Sequence, residues 1–195
     1  MEKVQRTLPT YTRLRSVSWY TFQVAQKSAE GSEHHLMTSM LFCAFTIEAF
    51  LNHLLEITLP TFWEPLKRRL RIREKLDVLS AALPLELDFG KRPFQTFGKI
   101  FKFRILLVHA QTETLITEGD FILTDTESLP KPLTEWEELL SIEHARRSLD
   151  DTEQMVAQIA VAAGIDPKEV FAPEEVKIDD KVFATPMFDI RKPSS

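Results

Sequence analysis

Arg104 and His109 are the two residues whose types and spacing best suit chemistry. They lie in Pro93–Glu113, where Phe94–Val108 carries nine apolar residues, five of them from the Phe94, Phe97, Ile100, Phe101, Phe103 series, and no proline. At about 100° per residue along an α-helix, Phe97, Phe101, Arg104 and Val108 share one stripe. Ile100, Phe103 and Leu107 lie beside that stripe, and Lys99, Lys102 and His109 gather on the other side. A guanidinium among phenylalanines needs a partner or a ligand once it is desolvated. An imidazole titrates near neutrality, so it can take or give a proton. Five positions subtend about 140° on an ideal helix. The two groups therefore converge only if the helix ends near His109 or a second subunit completes the site.

The elements that position this pair read as helices. Leu14–Ala29 has Leu14, Val17, Tyr20 or Thr21, and Val24 near helical spacing, ending at Gly31. A second helix runs from about His34 to Leu59, apolar around nearly its whole circumference, and stops at Pro60. Such a helix packs on several neighbours. Glu48 puts a carboxylate on a buried-looking arc of it, and Asn52 lies one turn further on. Trp63–Leu83 predicts a third helix or a broken pair, with a rough leucine seam. Its Lys67, Arg68, Arg69, Arg71, Arg73 and Lys75 form the densest positive cluster, either a solvated face or a contact for an RNA backbone.

After the Phe-rich helix, Thr114–Asp125 suggests a small β-hairpin around Glu118-Gly119-Asp120. A long helix is expected over Thr134–Ala163, opened by a Thr134/Glu137 capping box and ended by Gly164. Asp166-Pro167 can cap one further turn, and the remainder reads as an extended or disordered arm. The expectation is an all-α, up-and-down bundle of four to five helices over residues 1–165, with a tail over 166–195.

Composition narrows the function. The 195 residues include one cysteine, Cys43, which excludes an intramolecular disulfide and a Cys-based zinc site. It sits in an apolar run and reads as an inert core thiol. His34, His35, His53 and His144 show no metal spacing, and no Gly-rich phosphate loop or serine elbow occurs. No metal or cofactor is expected. A net charge of −5 argues against a dedicated duplex-DNA binder. The N-terminus lacks an apolar signal core, and Met40–Leu51 is interrupted by Glu48 and short for a bilayer, so a cytoplasmic chain without a membrane partner is expected.

Arg104-Ile-Leu-Leu-Val-His109 resembles the Arg-x4-His signature of HEPN domains. Ala44-Phe-Thr-Ile-Glu-Ala-Phe-Leu-Asn52 is similar to their long second helix, in which an acidic residue and an Asn recur, and Ala110-Gln-Thr-Glu113 to the Gly-Lys-Thr-Glu of several bacterial members. A closing helix with Trp136 and Asp150-Asp151 is compatible, so the resemblance spans about residues 14–163. It implies a metal-independent endoribonuclease, often a toxin or anti-phage effector, working as a homodimer and sometimes held by a cognate antitoxin or inhibitor. In such a site the 2′-OH attacks the adjacent phosphate and leaves a cyclic phosphate end. Arg104 would clamp the phosphate, His109 would move the proton, and Glu48 with Asn52 would support them. Lys99 and Lys102 are weaker candidates for RNA contact. The chain departs from the pattern at Ile105, commonly Asn in active members, and at Gln111, where a branch controlled by nucleotide transfer has Tyr. The alternative is a non-catalytic module of the same shape that dimerises or binds a partner. On that alternative Arg104 is a buried ion pair with Glu48 and His109 a helix-end histidine.

Overall fold

The computed structural model describes residues 4–7, 9–116, 132–171, 174–178 and 181–185. These are mostly helical. Helix α1 spans Thr10–Lys27, α2 Ser32–Thr58, α3 Pro60–Leu66, α4 Ile72–Ala82 and α5 Phe94–Val108. Then follow α6 Glu135–Glu138, α7 Ile142–Ala162 and the single turn α8 Pro167–Val170. Three short strands, β1 Val4–Thr7, β2 Glu174–Ile178 and β3 Lys181–Thr185, form an antiparallel sheet in the order β1-β2-β3. Val4 faces Ile178 in the first ladder, and Glu174 faces Thr185 in the second.

Helix α2 is the axis of the bundle and packs against α1, α3, α4, α5 and α7. Its all-round apolarity is the sequence signature of that position. By length and composition alone it is apolar enough to cross a membrane. In the fold, Cys43, Ala44, Ile47, Phe50, Leu51, Leu54 and Leu55 are buried by the surrounding helices. Gly31, at φ 68°, makes the left-handed turn that reverses the chain between α1 and α2. The two helices approach closely through serines. Ser18 Oγ donates to the Ser39 carbonyl at 2.7 Å, and Ser39 Oγ returns a bond to the Ser18 carbonyl at 2.9 Å. Both hydroxyls are thus satisfied in a dry interface.

Helix α1 corrects the expected packing. It begins at Thr10, ahead of Leu14, and its buried residues are Tyr11, Thr12, Ser18, Phe22 and Ala25. Val17, Trp19 and Tyr20 are exposed. The Trp63–Leu83 stretch is a broken pair, interrupted at the turn over 67–71. The long closing helix is also broken. Thr134 and Glu137 form the expected capping box, but it caps only α6. Ser141 then accepts from the His144 N–H at 3.0 Å and starts α7 afresh. Gly164, at φ 75°, ends α7.

The helical unit runs past residue 165. Asp166 caps α8, and Val170 is part of the core. The arm beyond it is extended, but as β2 and β3 it pairs with the N-terminal β1. The hairpin expected over Thr114–Asp125 lies outside the described residues from 117 onward, and 114–116 carry no regular structure.

Candidate functional site

Helix α5 leaves the core as it runs. Phe94, Phe97, Ile100, Phe101 and Phe103 are buried, whereas Ile105 and Val108 are 53% and 61% exposed. Arg104 stands at the crossing point, with a side chain 33% exposed. Its stripe partners Phe97 and Phe101 anchor the helix on one side of it. On the other side Val108 faces outward.

Glu48, from the middle of α2, lies beneath the guanidinium. Its Oε2 is 3.5 Å from Arg104 Nη2, an ion pair too long for a good hydrogen bond. Its Oε1 accepts a 3.0 Å hydrogen bond from Lys75 Nζ of α4. Lys75 is only 4% exposed, Glu48 27%. One carboxylate is therefore shared by two cations, and the buried one holds it more closely. The Lys75 ammonium also lies 5.8 Å from the Trp63 ring, and the Arg104 guanidinium 5.8 Å from the Phe45 ring. The cluster carries one positive charge in excess. Arg104 Nε is buried without a hydrogen-bond partner among the described residues, as is Asn52 Oδ1, one turn further along α2.

His109 is the C-cap of α5. Its backbone N–H donates to the Ile105 carbonyl at 3.0 Å, and the residue is exposed. The helix thus ends at Val108, one of the two conditions for bringing residues 104 and 109 to one site. Among the described residues no hydrogen bond or ion pair joins the imidazole to Arg104, Glu48 or Asn52. The structure brings Glu48 to Arg104 and leaves Asn52 one turn away on α2, bonded to neither. Lys102 pairs with Glu135 and so ties α5 to α6, while Lys99 is exposed.

Lys75 is the residue that sequence reasoning missed. It belongs to the charge run that reads as a solvated face or an RNA-backbone contact, but Ile72, Lys75, Leu76 and Leu79 form one helical stripe, and that spacing marks it as inward-facing. A second cluster also went unrecognised. Asp151 of α7 is 0% exposed and accepts from Arg92 Nε at 2.9 Å and Arg92 Nη2 at 2.7 Å. The Thr96 hydroxyl also donates to it, and Arg147 Nε stands 3.7 Å away. Arg147 Nη2 reaches on to Gln95 at 2.7 Å. This network fixes the start of α5 against α7, and hence the register with which α5 delivers Arg104 to Glu48. The Asp151 carboxylate raises the Arg92 pKa further above its ordinary value.

Cys43 is buried beside Ser18, 3.1 Å from its hydroxyl. Burial pushes its thiol up to about 11, with the neighbouring Ser18 and Thr152 hydroxyls pulling the other way. A thiol kept protonated in this way is a poor nucleophile. Among the described residues no three His, Cys, Asp or Glu side chains gather as a metal-binding group. Comparison with protein-family models, curated proteins and solved structures returned no match.

Proposed function

We propose that the chain is a metal-independent endoribonuclease of the HEPN type, acting as a homodimer whose site is built where the α5 ends of two copies meet. The observation that carries this reading is the setting of Arg104. It is a third exposed, held at one edge by a long contact to Glu48, with the chain's surface around it turning apolar at Ile105 and Val108. A guanidinium held this loosely keeps donors for a phosphate, and a preorganised fork stabilises the extra charge of the transition state. His109, exposed at the helix end, is the proton carrier for the 2′-OH or the leaving oxygen. Ile105 and Val108 are the apolar surface that a second copy covers. Toxin or anti-phage activity, a cognate inhibitor and a cytoplasmic setting accompany this reading as further proposals.

Single-stranded RNA incubated with the protein in EDTA is expected to give cyclic-phosphate ends, lost in Arg104→Ala and in His109→Ala. Mixing the two inactive variants is the sharper test. If each site takes its arginine from one copy and its histidine from the other, half of the mixed dimers are heterodimers, each with one intact site. About a quarter of wild-type activity then returns. RNA left equally intact by wild type and both variants sinks the enzyme reading. Ile105, apolar where active relatives of the resembled family commonly have Asn, favours the second reading, a non-catalytic module. There Arg104→Ala lowers the melting temperature or the mass in light scattering and changes no RNA.

A further inference from the structure

The fold sorts the six cations of Lys67–Lys75. Lys67 Nζ meets Glu64 at 2.7 Å, and Arg73 Nε meets Asp77 at 2.9 Å with its guanidinium 3.7 Å over the Phe89 ring. Lys75 is sealed against Glu48. Arg68, Arg69 and Arg71 remain. They lie on the turn between α3 and α4, all exposed, and among the described residues no carboxylate pairs with their guanidinium groups. The nearby Glu74 carboxylate is engaged by the Arg71 backbone N–H at 2.6 Å.

We propose that Arg68, Arg69 and Arg71 form a second grip on the phosphate backbone of single-stranded RNA, holding the strand whose reacting phosphate sits at Arg104. The ligand's identity rests on the ribonuclease reading; the existence of an anion-binding turn does not. A chain of net charge −5 repels a polyanion, so approach requires a local concentration of unpaired positive charge. Guanidinium forks match phosphate geometry and lose little hydration on contact. The turn is also tied to the candidate site through α4. Arg71 precedes Lys75 by one helical turn, about 6 Å along α4. Lys75, itself buried, pairs with Glu48 at 3.0 Å, and Glu48 lies 3.5 Å from Arg104, so α4 carries the turn at its start and a partner of the candidate site one turn later. Phe62 of α3, exposed before the turn, offers a face on which an unpaired base can stack.

The test is fluorescence anisotropy with a labelled 2′-O-methyl oligoribonucleotide, which binds without being cut, across salt concentrations. Loss of three phosphate contacts makes the log–log salt slope of Arg68→Gln/Arg69→Gln/Arg71→Gln shallower than wild type by about 2. Wild type then loses about 20-fold more affinity than the variant between 50 and 200 mM salt. The triple lysine variant regains most of the slope. On cleavable RNA the glutamine variant is impaired through KM. Matching melting curves establish that it folds, as expected for exposed side chains. Equal slopes for wild type and variant overturn the proposal, even while Arg104→Ala abolishes cleavage. A slope difference in a protein that cuts nothing keeps the grip and removes the enzyme reading. Absence of RNA binding by wild type removes both. Sedimentation with phosphatidylserine vesicles that depends on the three arginines, with no RNA difference, reassigns the turn to a membrane surface and overturns the proposal.

Discussion

Replacing Glu48 should hurt far more than replacing Lys75, although each removes one end of the same ion pair. In Glu48→Gln the Lys75 ammonium, 4% exposed, faces no carboxylate, and Arg104 loses the one carboxylate that pairs with it among the described residues. Leaving a buried charge uncompensated costs about 3–5 kcal/mol. In a domain of this size each kcal/mol moves the melting temperature by roughly 2–4 °C, so a drop of about 10 °C is expected. In Lys75→Met the buried charge itself disappears, and the thioether fills the space beside Trp63. Glu48, 27% exposed, stays neutralised by Arg104, so the loss is about 1 kcal/mol or less. The double variant has neither the buried cation nor its anion, and should recover about 2–3 kcal/mol relative to Glu48→Gln alone. Urea melts at one fixed protein concentration measure all four corners of this cycle. If Lys75→Met is as damaging as Glu48→Gln, or if the double variant equals the sum of the singles, Lys75 is not the cation that Glu48 chiefly serves. The account of a loosely held Arg104 then fails with it.

Asp151→Asn should destabilise by about 1–3 kcal/mol, because the buried acceptor shared by Thr96, Arg92 and Arg147 loses its charge while both guanidinium groups stay partly solvated; an unchanged melt in the same assay would show that the network does not fasten α5 to α7. Cys43 titrates near 9 when unfolded and at about 11 in the fold, so between those pH values the unfolded chain holds fewer protons and stability falls as pH rises, by on the order of 2 kcal/mol. The same burial keeps the thiol from reacting with a disulfide reagent at pH 8 unless denaturant is present. Rapid native labelling, or an alkaline limb identical in Cys43→Ala, would refute that placement.

How much was legible depended on how local the signal was. The extents of α2 and α5 follow from punctuation at Gly31 and Pro60 and from an unbroken apolar period between Pro93 and His109. Glu48 and Arg104 could be matched because each is an isolated charge on an apolar face. Lys75 was hidden by its neighbours, since five other cations nearby made the whole run look solvated. The inward face of α1 was misread because a search for apolar residues passes over Ser18. That serine is buried by virtue of being small and of exchanging hydrogen bonds with Ser39. The break at Leu139–Ser141 had a signal, a serine directly before Ile142, that the longer periodic pattern outweighed. Pairing of β1 with β2 joins segments about 170 residues apart, and no local pattern specifies such a partner.

The charge count around Glu48 links these observations to function. A bundle that needed Arg104 only as a structural ion pair would give it an undivided carboxylate, because a desolvated guanidinium is stabilised by two parallel hydrogen bonds. Here Lys75 takes one oxygen at hydrogen-bond distance, and Arg104 is left with one contact at 3.5 Å and an unpartnered Nε. A second anion is what the geometry lacks. Under the proposed function, a phosphate diester supplied from outside at the exposed edge of α5 would meet the solvent-reachable part of the guanidinium, the Nε being buried, and return the cluster to neutrality. The network at Asp151 then has a functional consequence. It fastens the opposite end of α5, so that the guanidinium is presented at one fixed height above Glu48 instead of sliding along the face of α2.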